Sequence, residues 1–296
     1  MNLFESPSRK VFTVINYIIL IATGLTCLVP FINLLAISFS DSGSVAAGKV
    51  SFWPVGFTLA SYKFAFTDGK FFPALLISIE RVILGVGINI IFLVMAAYPL
   101  SKTKQQFRAR NVFMVYFVTT MIISGGLIPT YILVTKLKLL NSIWALILPG
   151  ALPVWNMVIL MNFMRQMPQD IEEAAIIDGA GILRRLISVM LPLLKPAIAT
   201  VALFCAVGHW NDWFSGLIYM QSPVRYPLQT YLQGLLLKMD EIMRLAGGDY
   251  MRIIAMISVR TGRAAQLFLG ALPMMILYPF LQKYFTKGLV VGSVKG

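Results

Sequence analysis

Six long runs of mostly apolar residues dominate this chain, at residues 11–39, 72–100, 112–134, 142–164, 196–220 and 264–285. In hydrocarbon every backbone amide must find its partner inside the protein, so a run of about 20 apolar residues folds as a helix that crosses a bilayer. Of the 296 residues 58% are hydrophobic and only 12% charged, and the mean hydropathy is +0.79. A soluble domain has too little polar surface in such a composition. The expected fold class is an all-α integral membrane protein with six transmembrane helices.

An even number of spans puts both termini on one side. Lys102, Lys104, Arg108 and Arg110 share one short loop, and Arg9, Lys10, Lys283, Lys287 and Lys295 flank the ends. Positive charge is retained on the cytoplasmic side, so both termini are expected there, in a multi-pass membrane protein. Arg9 and Lys10 could also begin a signal peptide, but the apolar run behind them exceeds the 7–15 residues of such a core, so a retained helix is expected. Cys27 and Cys205 both fall inside spans and indicate no disulfide framework. The single His209 stands without a Cys, Asp or Glu cluster at ligand spacing, which favours a packed, hydrogen-bonded residue over a metal ligand.

The net charge of +13 lacks the clustered aromatic-and-basic pattern of a nucleic-acid binder, and topology and lipid headgroups explain the cytoplasmic share. The external loop 221–263 is long and polar, and its Arg225, Lys238, Arg244, Arg252, Arg260 and Arg263 outnumber its acids. That excess suits an anionic partner, either substrate or a docking protein, while a solvated connector is the plain alternative. A second external loop, 40–71, is expected to join this surface.

Inside the spans the costliest groups are Glu80 and Arg81, and the bland expectation is that they snorkel or pair with each other. Trp210, Asn211, Asp212 and Trp213 combine aromatic faces with an amide and a carboxylate, the set that covers the C–H faces and hydroxyls of a sugar; an interfacial aromatic belt is the competing explanation. Asn89, Asn156 and Asn162 suit interhelical hydrogen bonds, with Asn156 the best placed to face a substrate. Gly125, Gly126, Pro129, Pro149, Pro153, Pro273 and Pro279 each weaken regular helix bonding and permit kinks.

Between the fourth and fifth runs lies Pro168-Gln169-Asp170-Ile171-Glu172-Glu173-Ala174-Ala175-Ile176-Ile177-Asp178-Gly179-Ala180, followed by Val189-Met190-Leu191-Pro192. A first-turn proline, acids near the positive helix end, two alanines and a terminal glycine describe a short helix that another protein's groove could approach closely. An amphipathic helix lying on the membrane is the alternative. The pattern resembles the EAA loop of bacterial ABC importers, with Glu173, Ala174, Ala175, Gly179, Val189, Leu191 and Pro192 at its spaced positions.

The resemblance extends over nearly the whole chain. Ala97-Tyr98-Pro99-Leu100-Ser101-Lys102, Gly125-Gly126-Leu127-Ile128-Pro129-Thr130-Tyr131, Trp210-Asn211-Asp212-Trp213-Phe214, Tyr278-Pro279-Phe280-Leu281-Gln282-Lys283-Tyr284-Phe285 and the final Gly292-Ser293-Val294-Lys295-Gly296 are similar to the MalG-type permease subunits of carbohydrate importers, in the oligosaccharide and polysaccharide branch. It implies a type I ABC importer permease fold, divided into an N-terminal helix and loop (1–71), a permease core (72–285) containing the EAA loop (168–192), and a cytoplasmic tail (286–296). Coupling to the ATPase would fall on Glu172, Glu173, Ala174, Ala175, Asp178, Gly179 and Ala180. The substrate pathway would involve Glu80, Asn156 and Trp210 to Trp213, and binding-protein docking would use Arg225, Arg244, Arg252 and Arg260.

The chain carries no phosphate-binding loop, so it is expected to be a non-catalytic subunit holding no cofactor, with ATP and Mg on a partner. The implied partners are a second homologous permease chain, two ATPase subunits, an extracytoplasmic sugar-binding protein, the oligosaccharide and membrane lipid, with no nucleic acid. The expected cargo is an oligosaccharide, in its narrower form an anionic, uronate-containing one derived from an alginate-like polysaccharide. A neutral oligosaccharide and a non-transporting membrane scaffold are the alternatives.

Overall fold

The structure, a computed structural model, describes residues 7–67, 69–234, 260–276 and 278–279. These residues are helical with connecting turns, and the chain divides into two compact units, Met1–Phe71 with Gly234–Ala271, and Phe72–Gln233 with Leu272–Gly296.

In the first unit, α1 (Pro7–Ser38) is long and apolar enough to span a bilayer, and none of its most apolar stretch is buried among the described residues. A helix apolar on all sides is stable where lipid or other apolar surface covers it. The segment after it is folded. Asp41 caps the short α2 (Ser42–Ala46) by accepting the Ser44 N–H at 2.9 Å, and α3 (Ala60–Thr67) follows. The ring of Phe39 stacks on Phe57 with centroids 5.4 Å apart. The expected loop 40–71 thus has a structure of its own.

The second unit is built on α4 (Phe71–Ser101), an uninterrupted apolar helix. The next three expected spans are broken rather than straight. The third consists of α5 (Arg110–Ile122) and α6 (Leu127–Lys136), bent by 110°; Gly126, at φ +84°, makes the turn that a side-chained residue would resist. The fourth runs through α7 (Ile143–Ile147) and a 3-10 turn (Leu148–Gly150) into α8 (Val154–Arg165), bent by 52° where Pro149 and Pro153 withdraw two backbone donors.

After α9 (Gln169–Ile177), α10 (Ile182–Arg184), a π turn (Arg185–Met190) and α11 (Leu191–Leu193) precede the expected fifth span, 196–220. An 81° bend then leads to α12 (Lys195–Asn211) and the short α13 (Phe214–Tyr219). Pro192 and Pro196 flank that bend. Counting each bent pair once, the described residues supply up to five spans; the sixth, 264–285, is described only at 264–276 and 278–279.

The core of this unit lies where α4, α8 and α12 meet, with Leu93, Met157, Leu160 and Val201 fully buried. Ala97 and Ala197, also buried there, let the backbones close up. In lipid such contacts gain little from water exclusion, so tight van der Waals packing and hydrogen bonds hold the helices.

Candidate translocation and coupling sites

One face of α4 carries Arg81, Gly85, Asn89, Leu93 and Ala97 at four-residue spacing, all of them buried. Its polar members serve the backbone groups that the broken spans leave open. Asn89 donates both amide hydrogens, to the carbonyls of Gly150 and Ala151 at 2.9 and 2.8 Å, at the break before α8. With its nitrogen so used, the Asn89 Oδ1 must accept, and the His209 Nε2–H donates to it at 2.7 Å. Gly85 makes room for that ring, since a Cβ there would lie 2.5 Å from His209 Nε2. The histidine is a packed, hydrogen-bonded residue, as expected.

Arg81 behaves in the same way at the opposite end of the stripe. Its Nη1 donates to the Asp212 carbonyl at 2.8 Å, just past the end of α12, and its Nη2 to the Leu146 carbonyl at 3.2 Å in α7. Nη2 also forms an ion pair with Asp212 Oδ2 at 2.5 Å. The expected pairing of Glu80 with Arg81 is therefore corrected. Successive side chains on a helix leave the axis about 100° apart, so Arg81 turns inward while Glu80 is exposed.

These groups border a cavity of about 260 Å³, lined among others by Arg81, Asn89, Asn156, His209, Asp212 and Ser215. Asn156, from the expected pathway, is at this wall and donates to Cys205 Sγ at 3.2 Å. The four residues of the helix-five motif are split up. Asp212 faces the cavity, Asn211 and Trp213 are exposed, and Trp210 is buried away from it. The structure thus joins Asn156 and Asp212 but not Glu80 or Trp210.

The second site is α9. Gly179, at φ +73°, ends the helix; its N–H bonds the Ile176 carbonyl and the Ala180 N–H bonds that of Ala175, both at 2.9 Å, the paired closure of a Schellman turn. Glu173, Ala174, Ile177 and Asp178 are exposed, and Ala175 is buried. Glu172, expected on the coupling surface, turns inward instead. Lys102 Nζ grips both its oxygens, the Tyr98 hydroxyl donates to Oε1 at 2.9 Å and Arg185 Nη1 lies 3.5 Å away. Burial alone would raise the Glu172 carboxyl, but the Lys102 and Tyr98 hydrogen bonds and the charges of Lys102 and Arg185 outweigh it and hold the group below its ordinary value.

Sequence reasoning missed this anchor and the exposed Ile177, which is 86% exposed beside the alanines. An apolar residue next to the acids of a polar loop was the available signal.

The basic external surface is only partly described. Arg225 donates to the Asn141 carbonyl, Arg260 is exposed and Arg263 is buried, so Arg263 does not belong to an exposed cationic face. Arg244, Arg252, Lys238 and the tail 286–296 lie outside the described residues.

Broken spans beside a cavity lined by Arg81, Asn89 and Asp212, with a short capped helix between two of them, define a polytopic membrane permease. Residues 89–291 match the family described as binding-protein-dependent transport system inner membrane component, and the chain belongs to it. The chain is 38% identical to the protein LplC of Bacillus subtilis over 295 residues, covering 100% of this chain and 98% of that one. It is 34% identical to the polygalacturonan/rhamnogalacturonan transport system permease protein YtcP of the same organism, covering 97% and 99%. Among solved structures, it is similar to a chain of a bacterial ABC transporter involved in the import of the acidic polysaccharide alginate, with a TM-score of 0.83, 30% identity and coverage of 96% and 100%. The expected ABC permease fold and the non-catalytic role of a transport subunit stand.

Proposed function

We propose that this chain is one of two homologous permeases in an importer for acidic oligosaccharides, driven by two ATPase subunits that carry ATP and Mg and supplied by an extracytoplasmic binding protein. The observation that carries the coupling role is the division of labour on α9: Glu172 is held inward by Lys102, while Glu173, Ala174, Ile177 and Asp178 are presented outward. A helix anchored on one side and free on the other transmits the movement of a partner seated on it. The ATPases would seat there, on the cytoplasmic side with both termini, and ATP-driven closure would rock the permeases from inward-open to outward-open.

Three relatives favour acidic cargo. Besides the polygalacturonan and alginate systems, the chain is 29% identical, over 94% of its length, to the sulfoquinovosyl glycerol permease SmoH of Agrobacterium fabrum. The small cavity beside Arg81 and Asp212 would lie on the sugar's path. The test is reconstitution with the partner chains in proteoliposomes, with ATP hydrolysis measured against binding protein loaded with an oligouronate or a neutral oligomer of equal length. Stimulation by the oligouronate is expected; stimulation by the neutral oligomer alone would leave an importer of neutral sugars, and stimulation by neither would reject the importer.

A further inference from the structure

Arg81 is an unusual residue to find 2% exposed in an apolar helix, and its hydrogen bonding is incomplete. Five N–H groups leave a guanidinium, and the Nε–H with the neighbouring Nη2 forms the edge that chelates a carboxylate through both oxygens. Here only half of that edge is engaged. Nη2 holds Asp212 Oδ2, whereas Nε has no hydrogen-bond partner although it is buried. The reason lies in Asp212, whose other oxygen, Oδ1, accepts the Ser215 N–H at 3.1 Å at the start of α13. A carboxylate that caps Ser215 with one oxygen cannot also close the arginine's fork.

Building on the acidic-oligosaccharide reading above, we propose that Arg81 recognises a carboxylate of the substrate, and that Asp212 occupies one arm of its fork until the substrate arrives. A uronate carboxylate entering the cavity would bond Nε and Nη2 together, displacing Asp212 Oδ2. Asp212 would keep its Ser215 bond, and its side chain, 31% exposed, is the accessible end of the pair. Meanwhile Nη1 remains on the Asp212 carbonyl, so the guanidinium stays oriented through the exchange. The cavity, about 260 Å³, lies just under the 300–1,000 Å³ typical of a whole small-molecule site, which suits one acidic sugar of a chain rather than the whole oligomer. Asn156 and Ser215, also in the lining, are neutral polar groups suited to its hydroxyls.

The experiment uses the complete transporter in proteoliposomes at saturating binding protein, with a short oligouronate and its carboxyl-reduced counterpart. Arg81→Lys keeps the charge and loses the fork. The half-saturating oligouronate concentration is expected to rise about tenfold, the worth of one charge-assisted bond, with less than about a twofold change for the reduced oligomer. Equal changes for both would make Arg81 a helix staple only and overturn the proposal.

Asp212→Asn supplies a second test of opposite sign, because asparagine still caps Ser215 but no longer competes by charge. Per assembled transporter, it should lower the half-saturating oligouronate concentration; an unchanged or higher value would overturn the proposal. Failure of the importer reading is separately visible, as the absence of sugar-stimulated hydrolysis in the unmodified transporter. Failure of the acidic reading alone appears as stimulation by the reduced oligomer only.

Discussion

Glu172 in α9 and Lys102, just past the end of α4, are joined by an ion pair in which the ammonium reaches both carboxylate oxygens, with the Tyr98 hydroxyl on one of them at 2.9 Å. Lys102 also lies 4.1 Å from the centre of the Tyr98 ring. The contact ties α9 to α4, the helix whose buried stripe borders the cavity.

Glu172→Gln should weaken that tie while leaving the outward face of α9 intact. Loss of the charge-assisted bonds is expected to cost about 1.5–3 kcal/mol, visible as a lower thermal unfolding temperature of the purified transporter. The ATPases should still co-purify, but hydrolysis should respond less to loaded binding protein. An unchanged response would show that α9 transmits without this anchor.

The same carboxyl sets an acid limit. Its value in the folded protein is held below the ordinary glutamate value of about 4.3. A depressed carboxyl stabilises the fold fully above the unfolded-state value, and that contribution is lost as pH falls through the lower folded-state value. Between pH 5 and 8 the Glu172 contribution should therefore be flat, with its loss confined to more acid solution. Thermal unfolding of the unmodified protein and Glu172→Gln should differ by a constant amount across that range and converge in strong acid; a difference that shrinks between pH 7 and 5 would contradict the assignment.

The spans were legible because their signal is local: length and hydropathy suffice, and α1 and α4 emerge at their expected places. The breaks were legible as glycines and prolines but not as angles, because a bend of 110° or 52° depends on what receives the freed carbonyls. Those receivers are distant. Asn89 serves Gly150 and Ala151, and Arg81 serves Asp212, 131 residues away, with no local pattern linking them. On α9 the acids and alanines could be read, but their phase could not: Glu172 faces in and Glu173 out because Lys102, 70 residues earlier, fixes the rotation.

On the outward face, the paired changes Glu173→Lys and Ala174→Trp should leave the protein in the membrane and remove the ATPases from it. A bulky ring cannot enter a groove shaped for alanine, and the charge reversal repels what the acid attracted. Gly179→Pro should act similarly, since proline cannot adopt φ +73° and lacks the N–H that bonds the Ile176 carbonyl. Co-purification of the ATPases with normal uptake would sink the coupling role of α9.

The last prediction concerns Gly85, whose importance lies in what it lacks. A Cβ on it would stand 2.5, 2.7 and 2.8 Å from Nε2, Cε1 and Cδ2 of His209, across the face of the ring rather than against a flexible end. The ring cannot retreat freely, because its Nε2–H is bonded to Asn89 Oδ1 at 2.7 Å and Asn89 in turn holds the Gly150 and Ala151 carbonyls. Gly85→Ala should thus cost about 1–3 kcal/mol through overpacking, although alanine is the better helix former. His209→Ala alone loses one hydrogen bond, about 0.6–2 kcal/mol within a membrane. Combined, the two changes should be less harmful than their sum, because without the imidazole the added methyl has space; coupling of about 0.5–3 kcal/mol is the range for residues in contact. Thermal unfolding of the unmodified protein and the three variants measures it directly, and strict additivity would mean that α4 and α12 do not approach each other at this point.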